Sequence, residues 1–145
     1  IDNGQDDLAI KLLLQDQCPS WLYEVKQGAT TIWESWAGIE PNGKVGSYSF
    51  NHYAFGCVGD FLVRRIAGLQ VLTPGYEKFL IAPKTNLGIS EFDLSYESRF
   101  GTIKVSKAKT QLVVEVPQGT SALLKLAQVS EQPLELSVGK HVFKL

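Results

Sequence analysis

Thr73-Pro74-Gly75-Tyr76-Glu77-Lys78-Phe79-Leu80-Ile81-Ala82-Pro83 is the stretch that divides this chain. Pro74-Gly75 is a turn dipeptide, residues 79–82 are a short apolar run of strand length, and Pro83 stops that run because it cannot donate to a ladder. Before this stretch apolar residues recur at spacings of three and four. After it they alternate in short runs separated by turn residues. The chain therefore reads as α+β by content, with helices in residues 1–72 and strands in residues 73–145.

Working back from the divide, residues 51–69 predict a long helix through Phe55, Val58, Leu62, Ile66 and Leu69, with Asn51 as its N-cap and Gly68 at its end. Gly56 and Gly59 lie inside it, and interior glycines destabilise a helix by up to about 1 kcal/mol each. A close helix neighbour is the expected reason for them. Residues 39–48 predict a loop with a turn at Pro41-Asn42-Gly43. Residues 28–34 predict a loop or extended segment leading into a short helix. Trp21 to Lys26 predict a short helix, started by Pro19-Ser20 and closed by Gly28. Residues 6–16 predict a helix with Asp6 and Asp7 at its positive end. Leu8, Ile10, Leu12, Leu13 and Leu14 leave it little polar face, which suits a helix inside a larger assembly.

Forward from the divide, residues 91–97 alternate with Phe92, Leu94 and Tyr96 on one side. Residues 101–106, 112–116, 121–126, 133–137 and 141–145 follow as further short strands, with turns at Pro117-Gln118-Gly119 and Val138-Gly139. Regular short strands of this kind predict an antiparallel β-sandwich.

The 145 residues carry a formal net charge of -1 and 44% hydrophobic residues. The composition is globular. A near-neutral chain lacks the electrostatic footprint for nucleic acid or an anionic membrane surface, and no apolar run is long enough to span a bilayer. Two cysteines and two histidines, scattered, predict neither a disulfide framework nor a metal site. Cys57, in an apolar helical pattern, is expected to be a buried free thiol. No phosphate loop or nucleophile elbow is present, and nothing calls for a cofactor. The chain has no Met and opens in polar sequence already leading into a helix, so it is expected to be a piece of a longer protein. A cytoplasmic setting is expected, since nothing in the sequence needs an oxidising environment.

Chemistry concentrates in residues 30–53, which hold Trp33, Glu34, Trp36, Tyr48, Asn51, His52 and Tyr53. Aromatic faces pack on the apolar faces of a pyranose, and a carboxylate can deprotonate water or accept from hydroxyls. Glycoside hydrolysis needs two such carboxyl groups, one on each side of the bond. Each residue also has a plain structural reading: Glu34 as a surface residue beside core tryptophans, His52 as a hydrogen-bonded histidine at a helix start, Asn51 as a cap. From spacing alone the structural readings are the commoner ones.

Tyr23-Glu24-Val25-Lys26-Gln27-Gly28-Ala29-Thr30-Thr31-Ile32-Trp33-Glu34-Ser35-Trp36, followed by Ser49-Phe50-Asn51-His52-Tyr53-Ala54-Phe55-Gly56 and then by the residue 74–83 crossing, resembles bacterial α-L-rhamnosidases. The likeness runs from about Leu12 to Pro83. It implies that residues 1–72 are the last helices of an (α/α)6 catalytic barrel and residues 73–145 a C-terminal sandwich. It implies an inverting hydrolysis of terminal α-L-rhamnose from glycosides. Glu34 matches the general base, His52 a ligand of rhamnose hydroxyls together with Asn51, and Trp33 or Trp36 a wall of the pocket. Many relatives have Arg where this chain has Ser35. The general acid of the family lies far upstream of these motifs, so the chain alone is expected to be inactive, and to self-associate through apolar surface meant for missing helices.

Two other readings stay open: a glycosidase or phosphorylase of different sugar specificity on the same barrel, and a non-catalytic β-sandwich associated with carbohydrate. Trp36 is the last tryptophan, and aromatics beyond Tyr76 fall on alternating strand positions, which favours a structural sandwich over a lectin.

Overall fold

The computed structural model describes residues 4–145. The chain forms two compact units, Ile1–Asp60 and Phe61–Leu145. No helix among the described residues is long and apolar enough to cross a membrane.

In the first unit, helix α1 spans Asp6–Leu14 and helix α2 spans Trp21–Lys26. Asp6 and Asp7 occupy the first turn of α1 and Lys11 its last, the arrangement that complements the helix dipole. The helix ends two residues earlier than its pattern suggests, because Gln15 is already extended. None of its residues is buried, and Leu8, Leu12 and Leu14 are 63%, 41% and 54% exposed. The start of α2 is fixed by Ser20, whose buried Oγ accepts the Tyr23 amide at 3.0 Å. The Cys18–Pro19 peptide before it is cis, and Gly28 closes the segment at φ +83°.

Residues 28–57 form no helix or strand of two or more pairs; an isolated bridge joins Ile39 and Val45. The predicted turn at Pro41-Asn42-Gly43 is present. Asn42 Oδ1 accepts the Lys44 amide at 2.9 Å, and Gly43 takes φ +85°. The short helix expected near Glu34 does not form.

The long helix predicted over residues 51–69 is a further correction. Residues 51–57 are turns, closed by bonds such as Gly56 N to Tyr53 O at 2.8 Å. Helix α3 covers only Val58–Phe61 and runs into a π-helical turn, Leu62–Ile66, where Ala67 N reaches Leu62 O at 2.9 Å. Gly56 and Gly59 weaken the helix, and a Cβ on Gly59 would meet nothing within 4 Å, so no neighbour among the described residues packs against it. Asn51 therefore caps nothing. Cys57 lies exposed rather than buried, and both cysteines are free.

The second unit is a sandwich of two four-stranded sheets. One has the order β1-β2-β6-β7 and contains Leu69–Val71, Lys78–Ile81, Ser121–Leu124 and Leu134–Leu136. The other has the order β3-β4-β5-β8 and contains Glu91–Ser98, Gly101–Ala108, Gln111–Val116 and Gly139–Lys144. The pairs are antiparallel except β2 with β6, which run parallel. That pair is joined by a crossover through the whole of β3, β4 and β5, as parallel neighbours require. Leu69–Val71, assigned to the helical half by periodicity, is a strand because it pairs with Phe79–Ile81 of β2 in register.

The core lies between the sheets. Alternate residues Ile103 and Val105 of β4 and Leu112, Val114 and Val116 of β5 meet Leu69, Phe79, Ile81, Ala122, Leu124 and Leu136, with Phe92, Leu94 and Tyr96 packed at its margin. Lys107 continues the buried row of β4. Its ammonium escapes isolation by donating to the carbonyls of Ile89 (3.1 Å) and Ser90 (2.7 Å).

Candidate active site

Two stretches of the first unit are laced together by their backbones. Glu34 N donates to Ser49 O at 2.9 Å and His52 N to Ile32 O at 2.8 Å, an antiparallel arrangement too short to count as a sheet. Thr31 Oγ1 adds a bond to Phe50 O. The threonine and isoleucine before Trp33 favour the extended backbone this pairing needs. The lacing brings Glu34 and His52, eighteen positions apart in sequence, onto neighbouring segments.

The Glu34 carboxylate is exposed. Its Oε2 accepts the Ser49 amide at 2.8 Å, so Ser49 holds both the backbone and the side chain of Glu34. A carboxylate oriented by one backbone donor keeps lone pairs for a water or a hydroxyl. His52 is half-buried. Its Nδ1 accepts the Ala54 amide at 3.1 Å, which in the neutral ring puts the proton on Nε2 and makes that nitrogen a donor. The ring stacks on Tyr53, centroids 5.2 Å apart and planes 9° from parallel.

The two tryptophans differ. Trp33 is 4% exposed and meets the Phe50 ring edge-on at 4.8 Å. Gly38 permits this, since a Cβ there would sit 3.0 Å from Trp33 Cε3 and 3.3 Å from Phe50 Cε1. Trp36 is half-buried in a second cluster, 4.4 Å from Phe55 and 4.8 Å from Trp21, whose indole donates to Phe55 O at 3.0 Å. The Trp36 Nε1 is buried without a partner. Asn51 has an exposed side chain, while its backbone is tied to Ser49 Oγ on both sides.

Sequence reasoning missed Glu24. It sits on α2, is 2% exposed, and reaches the Trp33 amide with Oε2 at 3.4 Å, while Oε1 has no partner. Burial raises its pKa above the ordinary 4.5, partly offset by the Trp33 amide. Tyr23 beside it is buried too and donates to Ile39 O at 2.7 Å. A charged residue in a short helix between Tyr and Val carries no sequence signal for burial. Among the described residues no three His, Cys, Asp or Glu side chains are placed to hold a metal ion. In the sandwich, a groove of about 240 Å³ is lined by Leu72, Lys78, Phe79, Ser121, Ala122, Leu123 and Glu135.

Residues 1–66 match the model of the bacterial alpha-L-rhamnosidase 6 hairpin glycosidase domain, and residues 68–141 that of the bacterial alpha-L-rhamnosidase C-terminal domain. An alpha-L-rhamnosidase of Formosa agariphila is 31% identical over 142 residues, covering 93% of this chain and 15% of its own length. One of Streptomyces avermitilis is 34% identical over 128 residues, covering 83% of this chain and 12% of its own. The crystal structure of the Aspergillus terreus enzyme superimposes on 99% of this chain with a TM-score of 0.89 at 29% identity, using 18% of its own chain. The Streptomyces avermitilis enzyme, solved with L-rhamnose, gives 0.85 at 28% identity over 99% of this chain and 16% of its own. The chain thus spans about 15% of the length of the curated relatives it matches. With both of its halves matched in order, the chain belongs to the bacterial α-L-rhamnosidase family.

Proposed function

We propose that this chain is the C-terminal part of a longer inverting α-L-rhamnosidase that releases terminal α-L-rhamnose from glycosides, and that Glu34 is its general base. The observation that carries the reading is the exposed Glu34 carboxylate, held at one oxygen by the Ser49 amide beside the segment bearing His52. In an inverting hydrolysis a carboxylate takes a proton from water as the water attacks the anomeric carbon, while an acid across the ring protonates the departing oxygen. Glu34 supplies the first group and the rest of the longer protein the second. The His52 Nε2–H donates to a sugar hydroxyl, with Asn51 beside it. Trp36, the more exposed of the two tryptophans, forms the wall, while Trp33 is buried against Phe50.

The same reading assigns residues of the first unit to the catalytic barrel and the strands to a C-terminal sandwich. The sandwich contains no tryptophan, and Phe79, Phe92, Tyr96 and Phe143 belong to or pack on its core, which supports a structural role. The exposed leucines of α1 are the surface through which the chain alone self-associates. The free thiols Cys18 and Cys57 fit a cytoplasmic setting.

The test is a substrate panel on the longer protein with proton NMR of the first product. Aryl α-L-rhamnoside is expected to be cleaved in preference to fucoside and glucoside, with β-L-rhamnose released first. Preference for another sugar would favour a different glycosidase on the same barrel, and α-L-rhamnose released first would exclude the general-base role.

A further inference from the structure

We infer that Glu24 is a positioning residue for Glu34: its buried carboxyl group anchors the Trp33 amide and so fixes the backbone from which the Glu34 side chain projects. The inference rests on the reading of Glu34 given above. Two consecutive amides are held from different directions, Trp33 N by Glu24 Oε2 at 3.4 Å and Glu34 N by Ser49 O at 2.9 Å. Together they limit rotation about the bonds flanking the Trp33 Cα and so set the peptide unit from which Glu34 starts, and a working base has to be held within about 0.5 Å and 10–20° of its productive geometry.

The second argument is energetic. Glu24 is 2% exposed, its Oε1 has no partner among the described residues, and the bond from the Trp33 amide to Oε2 is long at 3.4 Å. An unsatisfied buried polar group destabilises a fold by about 1–3 kcal/mol, and Met of similar length would fill the space without that penalty. A side chain that costs stability where an apolar one would serve is the mark of a position kept for function. The raised pKa agrees in direction, because burial disfavours the charged form of a group that offers an acceptor to Trp33 in either form.

The experiment compares native, Glu24→Gln and Glu24→Met. Gln keeps an acceptor at the same reach and Met removes it. In the longer protein, on an aryl α-L-rhamnoside, Glu24→Met is expected to lower kcat by about 10- to 100-fold with KM within about twofold, the scale of a small displacement of a reacting group. Glu24→Gln is expected to stay within about threefold of native. In the 145-residue chain, hydrogen exchange at the Trp33 amide is expected to quicken at least about tenfold in Glu24→Met and to stay native-like in Glu24→Gln, an opening cost of about 1.4 kcal/mol. Native kcat in Glu24→Met, or Trp33 exchange unchanged by it, would overturn the inference. If Glu24→Met does not fold, a kcat loss above tenfold in a folded Glu24→Gln overturns it as well. A native protein inactive on rhamnosides counts against the proposed substrate and leaves the exchange result to decide the role of Glu24.

Discussion

At Glu24 the ionisation state and the stability of the fold are coupled. Its pKa is raised in the folded state, mainly by burial. Below the ordinary value of 4.5 the group is protonated whether the chain is folded or not, and its ionisation takes nothing from stability. As pH rises past 4.5 the unfolded chain releases the proton and the folded one keeps it, so folding loses free energy until the folded-state pKa is passed. Glu24→Gln removes this dependence. It is expected to be at least as stable as native at pH 7, with the advantage shrinking as pH falls to 4.5; urea unfolding at both pH values measures it. Equal differences at both would mean that Glu24 ionises normally. Asp16 behaves in the opposite sense. Its pKa is lowered, first by the hydrogen bond from Lys26, so what this exposed pair contributes is present above 3.8 and lost in acid. The residue scale is also where sequence was least informative about environment. The motifs single out Glu34 and His52 as candidates, and the fold pairs the segments that bear them. Spacing alone did not separate buried Trp33 from half-buried Trp36, nor Glu24 from an ordinary solvated glutamate, because those differences come from contacts nine or more positions away, such as Phe50 with Trp33.

Among the elements, strands were more legible than helices, and for a physical reason. The longer strands of the sandwich have a more exposed and a more buried face, so alternation marks them locally, as in Phe92, Leu94 and Tyr96 of β3. The parallel pairing of β2 with β6 had no local mark, because it is set by where the intervening strands carry the chain. The predicted helix over 51–69 failed where its glycines and competing loop bonds outweighed an apolar spacing. Glycine substitutions test this directly. Gly59 has open space where a Cβ would stand, so Gly59→Ala in the 145-residue chain is expected to raise stability by up to about 1 kcal/mol. Gly68 is the contrary case. It sits at φ +79°, and a Cβ would lie 2.2 Å from the backbone of Ala82 and Pro83, where the chain enters β1. Gly68→Ala is expected to lose about 3 kcal/mol or more in thermal or denaturant unfolding. Gly28→Ala, with a similar φ of +83° but open space, is expected to lose only about 1–2 kcal/mol. Equal losses at the two sites would show that the close approach at Gly68 does not matter.

On the scale of the molecule, the chain holds a candidate catalytic carboxylate, Glu34, in a first unit whose first helix has no buried residue, and a second unit that is a sandwich with its own core. Phe79→Ala is expected to remove about 3–5 kcal/mol from the sandwich, since that ring is fully buried among residues of both sheets. The 145-residue chain by itself is expected to self-associate in light scattering, and Leu8→Glu with Leu12→Glu to reduce it, because those side chains leave α1 with an uncovered apolar face. The central claim concerns Glu34 and is tested most directly in the longer protein, by the rate of aryl α-L-rhamnoside hydrolysis in native and Glu34→Gln forms of matched stability. Loss of the general base is expected to lower kcat by about 10²–10⁴-fold with the fold intact. A folded Glu34→Gln protein that keeps kcat within tenfold of native would contradict the account.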